Sequence, residues 1–309
     1  MTDLELAWLR SWLEVVDSGG FARAAVRVHL SQPRISAHVA SLEKALGCPL
    51  IDRRTRPLTL TDEGKRLLPR ARSIIAAVDD TVSDMRSTTT VAGRLTIASF
   101  ASASSEFLAP VLKRLREENP LIEVGVLDGD VQLIESTLSV RQAAVAIRPY
   151  RPEPADHALV RRPLWREPFV VLAPLGHPVL AQESVGLEEI AQYPVITIGD
   201  PLDTPILGYE ASLAMHSSRL EPKVGIVSHQ PTTLTAMVRA GLGLGLVNLL
   251  AATMARRDGL ETRLVGDPHL YRDVGLWWHS ERPVSRVAQA FIDLALAGEL
   301  PPGTLPIPD

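Results

Sequence analysis

The chain has 309 residues, enough for two or three domains with their own cores. Its 46% hydrophobic and 22% charged residues fit a globular protein, and no apolar run approaches the roughly 20 residues of a membrane span. The net charge of −4 excludes a uniformly basic nucleic-acid binder, but residues 1–72 hold 12 Lys/Arg against 8 Asp/Glu while the remainder holds 20 against 28. The single cysteine, Cys48, excludes an intramolecular disulfide and a two-cysteine redox switch, fits a reducing cytoplasm, and reads as a small buried apolar residue. The first residues are amphipathic and acidic, unlike a secretory signal, so a cytoplasmic location is expected with no membrane partner.

Residues 3–17 predict a helix with Leu6, Leu9, Leu13 and Val16 along one stripe, stopped by Asp17-Ser18-Gly19-Gly20. Gly20 to Glu43 reads as two short helices around a His29-Leu30 turn. Ala24 and Ala25 allow close approach of a neighbouring helix. Ser31 is a good N-cap, and Pro33 falls in the first turn, where its missing N–H costs nothing. Ile35, Val39, Leu42 and Leu46 form the apolar stripe of the second helix. The opposite surface carries Ser31, Gln32, Pro33, Arg34, Ser36 and His38. Such a helix can enter a major groove, where Gln pairs with adenine and Arg with guanine through two hydrogen bonds each. An ordinary helical hairpin with a solvated polar face is the competing reading. Cys48 to Gly64 then reads as a two-stranded wing, with Arg53, Arg54 and Arg56 available to phosphates.

The offsets Ala24-Ala25, Leu30-Ser31-Gln32-Pro33, Ser36, Leu42-Glu43, Leu46-Gly47, Leu50, Arg53, Arg56, Leu60-Thr61 and Gly64 resemble the LysR-type family of bacterial transcription regulators. The resemblance implies a winged helix-turn-helix, a dimerising linker helix and an effector-sensing domain. The chain departs from the family pattern at Arg34, where a small residue is usual, and at His38, where Gln or Arg is. The basic head coincides with the helix-turn-helix, which suits a molecule that meets DNA at one end.

Asp62 to about Thr89 predicts one long helix. Leu67, Ala71, Ile74, Val78, Thr81 and Met85 alternate four- and three-residue steps, the spacing of a coiled-coil seam. Either this stripe pairs with a second copy, through Leu67, Ala71, Ile74, Val78 and Met85, or the helix lies on its own domain. From Gly93 strands and helices alternate, the mark of an α/β domain. Strands are expected at 94–99, 121–127, 143–147, 169–173, 195–198, 224–227, 245–247 and 273–279, with Leu159 to Leu164 crossing between lobes. Helices are expected from near Ser104 to Glu118 and at 131–140, 204–216, 231–240, 249–256 and 284–297, before a loose proline-rich tail. Gly176-His177-Pro178 and Ala240-Gly241-Leu242-Gly243 extend the resemblance to the two-lobed periplasmic-binding-protein-like domain of the family. Asn248 stands where the family commonly has Pro.

The expected fold class is therefore α/β, with a mostly helical head. A winged helix-turn-helix spans 1–62 and a linker helix 63–90. The two-lobed effector domain spans 91–309, with lobe I about 91–162 and 269–309 and lobe II about 163–268. In α/β sheets ligands collect beyond the carboxyl ends of strands. Ser99, Ser102, Ser104 and Arg148 lie there in lobe I, and Thr197, Gly199, His229, Thr232 and Thr233 in lobe II. Hydroxyls, helix N-termini and one arginine suit a small organic anion. The family places its effector cleft between these lobes.

Gly241, Gly243 and Gly245 enter a strand rather than leave one, the wrong order for a phosphate loop. The eight His show no metal-ligand spacing and no nucleophile arrangement stands out, so neither metal, cofactor nor catalysis is expected. The expected partners are operator DNA, a small effector and further copies of the chain: a dimer through the linker helix, and a tetramer through contacts between effector domains, as the family implies. The alternative is a solute-binding or enzymatic α/β protein with an incidental helical N-terminus.

Overall fold

The computed structural model describes residues 4–52, 57–86, 91–199, 212, 220, 223–254, 258–267 and 270–308, without the side chains of residues 80, 83, 84 and 86. The chain forms two units, Met1–Gly93 with Ser139–Gln142, and Arg94–Leu138 with Ala143–Asp309.

The first unit holds α1 (Leu6–Ser18), α2 (Phe21–Arg27), α3 (Gln32–Leu46), a hairpin of β1 (Ile51–Asp52) and β2 (Thr59–Leu60), and α4 (Asp62–Arg86). Ile35, Val39 and Leu42 of α3 are fully buried against Trp12 and Val15 of α1 and Ala24 of α2. The small side chains of Ala24 and Ala25 let the helices close. The buried stripe of α1 differs from the expected one. Trp12 is its centre, and Leu6 is 41% exposed, because the large indole turns that helix face toward the core. Gly47 ends α3 in the left-handed region (φ 71°), where a side chain would be strained.

The second unit contains β3 (Ala92–Ser99), β4 (Leu121–Asp128), β5 (Val145–Pro149), β6 (Leu159–Pro174), β7 (Ser184–Val185), β8 (Pro194–Ile198), β9 (Lys223–Ser228), β10 (Leu244–Asn248), β11 (Leu260–Val265) and β12 (Tyr271–His279). Their sheet runs β4-β3-β5-β12-β6-β10-β8-β9, with β11 pairing β6 and β7. One end of β6 pairs with β12 and belongs to lobe I, while its other end pairs with β10 and β11 in lobe II. Apolar clusters of buried residues pack on the mixed lobe II sheet, in which β6 pairs antiparallel with β10 and β11 while β8 runs parallel to β10 and β9.

Several expectations change. The Leu159–Leu164 crossing and the 169–173 strand are one continuous strand. The charges of Arg166 and Glu167, which lie between the two expected segments, are met across the sheet: Arg166 donates to Asp273 at 2.6 and 2.8 Å, and Arg272 donates to Glu167 at 2.8 Å. Burial of charge is tolerated when it is paired. β11 was not expected, because Glu261 and Arg263 interrupt its apolar pattern. The helix expected from Ser104 begins as a short turn at Ala101–Ala103, widens to a π-helical turn at Ser104–Leu108 and continues as Ala109–Glu118. The helix expected over 249–256 ends at Thr253. The tail is not loose: Leu305 exchanges backbone hydrogen bonds with Arg166, at 2.7 and 2.8 Å, and Pro301 is buried. The helix expected over 204–216 lies outside the described residues. Among the described residues no helix is long and apolar enough to cross a membrane.

Candidate functional site

The helix-turn-helix is assembled from the residues that form its sequence pattern. After α2, His29 adopts a left-handed backbone (φ 53°) and the Leu30 N–H returns to the Ala25 carbonyl at 3.1 Å, which turns the chain into α3. Ser31, Gln32, Pro33 and Arg34 are all exposed at the start of α3, while Ser36 is half-buried. Ser31 occupies the N-cap but its side chain makes no capping bond. His38 differs from its expected place. Its Nδ1 is hydrogen-bonded to Ser11 Oγ of α1 at 2.7 Å, so it braces the helix pair rather than completing the exposed row.

Behind α3, Glu43 Oε1 accepts the Leu50 and Ile51 N–H groups at 2.8 and 3.3 Å and anchors the start of the wing. Thr61 Oγ1 donates to the Pro49 carbonyl at 2.7 Å and accepts the Gly64 N–H at 3.0 Å. A Cβ on Gly64 would stand 2.2 Å from the Leu50 carbonyl oxygen, so only glycine fits there. Arg53, Arg54 and Arg56 lie outside the described residues.

The stripe of α4 divides. Ala71 is fully buried, and Leu67 packs with it against the core of the first unit, so these two do not lie on a free seam. Ion pairs from Arg72 to Asp17 (2.6 Å) and from Arg10 to Asp79 hold α4 to α1. Further along, Ile74 is 45% and Met85 78% exposed, with Val78 half-buried.

In the second unit the expected effector residues lie at or shortly after the ends of β3, β5, β8 and β9. Ser99 ends β3, and its Oγ donates to the Phe100 carbonyl at 3.3 Å. Ser102 follows in the Ala101–Ala103 turn and is 3% exposed. Thr197 near the end of β8 is buried and donates to the Leu246 carbonyl at 3.2 Å, and the Gly199 N–H reaches the Ser228 carbonyl at 3.1 Å. His229, Thr232 and Thr233 are exposed around the start of the Pro231–Arg239 helix. Ser104 is already engaged, donating to Asp128 at 2.6 Å.

Arg148 is the main correction. Its side chain is fully buried and turned into lobe I. It donates to the Pro149 and Pro152 carbonyls at 2.9 and 2.6 Å, pairs with Glu135 at 3.2 Å, and lies 5.1 Å from the Trp277 ring centroid. Burial pushes the pKa of this guanidinium down, and Glu135 opposes that shift. With Nη1 and Nη2 committed to the 149–152 segment and to Glu135, and only the buried Nε left without a partner among the described residues, Arg148 is a brace rather than a clamp for a carboxylate.

Four residues of the inter-lobe region went unrecognised as a group. Phe100 of lobe I lies 4.5 Å from the guanidinium of Arg272, which bonds the fully buried Glu167, which in turn accepts the Leu250 N–H of lobe II at 3.2 Å. Asn248 adjoins this chain, and its departure from the family pattern was the only signal in the sequence. Among the described residues no group of three or more His, Cys, Asp or Glu is placed to hold a metal ion.

A winged helix-turn-helix followed by a linker helix and a two-lobed α/β domain defines a DNA-binding regulator with an effector domain. The family model for a bacterial regulatory helix-turn-helix protein of the lysR family matches residues 6–65, and that for the LysR substrate-binding domain matches residues 88–299. The chain belongs to the LysR family, whose members are transcription factors rather than enzymes; this sets aside the solute-binding and enzymatic alternative. It is 29% identical over 288 residues to the HTH-type transcriptional regulator IlvR of Caulobacter vibrioides, covering 90% of this chain and 93% of that one. A full-length OxyR variant from Pseudomonas aeruginosa superposes with a TM-score of 0.72 at 21% identity, covering 97% of this chain and 100% of that one. CbnR, solved in complex with its target DNA, gives a TM-score of 0.71 at 19% identity, covering 94% and 98%.

Replacing Arg148 by Ala removes the cation beside Glu135, whose other oxygen still accepts the Ala155 N–H at 2.8 Å, and leaves the Pro149 and Pro152 carbonyls without their donor. Arg148→Ala is expected to destabilise the second unit by about 3–5 kcal/mol, read as a lower midpoint in urea unfolding of the whole chain. An unchanged midpoint would show that the brace contributes nothing.

Proposed function

We propose that the chain reads an operator through Gln32, Arg34 and Ser36 and responds to a small organic anion bound between the lobes of its effector domain. The observation that carries the DNA reading is the exposed row from Ser31 to Arg34, held outward at the start of α3 by the buried Ile35, Val39 and Leu42. Arg34 supplies a bidentate donor for guanine and Gln32 one for adenine. Arg53, Arg54 and Arg56 of the wing take phosphates, which set register and affinity without reading sequence. This activity belongs in the cytoplasm. Arg34→Ala should cost about 1–3 kcal/mol against one base pair of the operator and leave binding to random DNA nearly unchanged. Equal weakening on every sequence, measured by fluorescence anisotropy, would make Arg34 a phosphate contact.

Two copies pair through the outer half of α4, where Ile74, Val78 and Met85 continue the stripe after Leu67 and Ala71 turn inward. The exposure of Ile74 and Met85 supports this. The operator is then an interrupted inverted repeat, and contacts between effector domains build a tetramer. Placing Asp at both Ile74 and Val78 puts charge into that seam. Light scattering should report a smaller assembly, and operator affinity should collapse. An unchanged mass refutes the seam.

The effector site lies at the strand ends marked by Ser99, Ser102, Thr197 and Gly199, with His229, Thr232 and Thr233 beside them; the Ser99 and Thr197 hydroxyls donate within the fold and keep only acceptor capacity, so Ser102 is the first of the donors there. Hydroxyl and backbone N–H groups can carry a carboxylate without a cation. Binding alters the readers only as far as the ligand prefers one arrangement of the assembly. Millimolar acetate, succinate or benzoate should raise the melting temperature of the full chain, and Ser102→Ala should reduce that rise. No shift with any of the three would overturn the small-acid reading.

A further inference from the structure

Asn248 ends β10 and immediately precedes the Leu249–Thr253 helix. An asparagine in that position ordinarily accepts the free N–H of the second or third helical residue. Here its side chain makes no capping bond, because the buried Glu167 takes the Leu250 N–H instead, at 3.2 Å. A cap would in any case use only the Oδ1 acceptor, so the Nδ2 donor needs a partner of its own. Asn248 is only 9% exposed, and its Nδ2 has no hydrogen-bond partner among the described residues. Its cross-strand neighbour is the buried Phe169, so the amide sits beside an apolar wall where a missing bond is costly and a completed one counts for more.

The position of this amide points to a ligand. Two residues earlier on β10, the Leu246 carbonyl accepts the Thr197 hydroxyl, and the parallel register of β8 and β10 brings both strand ends to the same edge. The Leu249–Thr253 helix packs against the Ala101–Ala103 turn of lobe I, which carries Ser102, also buried and without a side-chain hydrogen bond among the described residues. The unsatisfied Asn248 amide of lobe II thus stands where its own element packs against the turn of lobe I that carries the Ser102 hydroxyl. Buried polar groups are nearly always satisfied, and an exception that survives in a well-packed core asks for the group that would complete it.

We infer that Asn248 is the lobe II donor of the effector site, its Nδ2 donating to an oxygen of the bound molecule, so that the effector carries an acceptor oxygen at that end and bridges to Ser102 across the cleft. This rests on the effector reading proposed above. A proline, which the family commonly has here, offers no donor. The residue therefore sets which effectors this chain accepts rather than repeating a shared contact.

Full-length Asn248→Leu and Asn248→Asp test it, with succinate and benzoate as probes in calorimetric titrations and thermal melts. Leucine removes an unsatisfied buried amide, so the ligand-free Asn248→Leu protein should melt a few degrees higher, about 1–4 °C. Its affinity for a probe that the wild type binds should fall about 10-fold, and Asn248→Asp, which sets a carboxylate against the ligand's own, should lose more. A lower ligand-free melting temperature for Asn248→Leu overturns the inference, since the amide would then be bonded within the fold. So does an unchanged probe affinity in both variants. A wild type that binds neither probe fails earlier, by overturning the small-acid reading on which the inference stands.

Discussion

The carboxylate of Glu167 is fully buried on the strand that carries the chain from one lobe of the effector domain to the other. A carboxylate in that position is costly unless its oxygens are occupied. Oε1 is taken by Arg272 on β12, the lobe I neighbour of that strand, and Oε2 by the N–H of Leu250 at the start of a lobe II helix. Arg272 then rests on Phe100, which opens the Ala101–Ala103 turn of lobe I. One ion pair therefore touches the crossing strand, its lobe I neighbour and the facing walls of the two lobes. It also relieves Asn248 of the capping role its position would suggest. Any ligand that alters the spacing of the walls must act against this chain of contacts, which gives the cleft a defined resting state from which a preference can be expressed.

A comparable economy governs the DNA-reading unit. Several residues that make its pattern recognisable hold its backbone in place. Glu43 holds the wing by two backbone N–H groups, Thr61 bonds on both sides, and Gly64 lies where a Cβ would meet the Leu50 carbonyl. None of these residues reads a base. They hold the wing against α3, and the exposed row from Ser31 to Arg34 projects from the start of that helix. His38 belongs with the first group, since its bond to Ser11 ties α3 to α1.

Charge was the least legible property. Arg148 at a strand end resembles a ligand clamp when only its place in the chain is known. In the fold its guanidinium answers carbonyls of Pro149 and Pro152 and the Glu135 carboxylate, contacts made by a segment that doubles back on the strand. The charges of Arg166 and Glu167 within β6 are met in the same non-local way: their partners, Asp273 and Arg272, come from about a hundred residues further along. The stripe of α4 likewise looked continuous. The fold spends Leu67 and Ala71 on the core of the first unit and leaves Ile74 and Met85 exposed.

The amino-acid sequence alone determined the helix-turn-helix, the linker helix, the alternation of strands and helices and the family, because each rests on local spacing: apolar residues at helical period, a cap and a proline at a helix start, glycines where the backbone must turn. The tertiary structure alone decided which polar groups are already bonded and which are left over. Ser99, Ser104, Thr197 and Arg148 were grouped by strand end, yet each bonds within the protein, and Asn248 drew notice only as a departure from a pattern. Hydrogen bonds and ion pairs between residues distant in the chain leave no periodic trace in it, so the satisfaction of a buried polar group can be read only once the chain has folded around it.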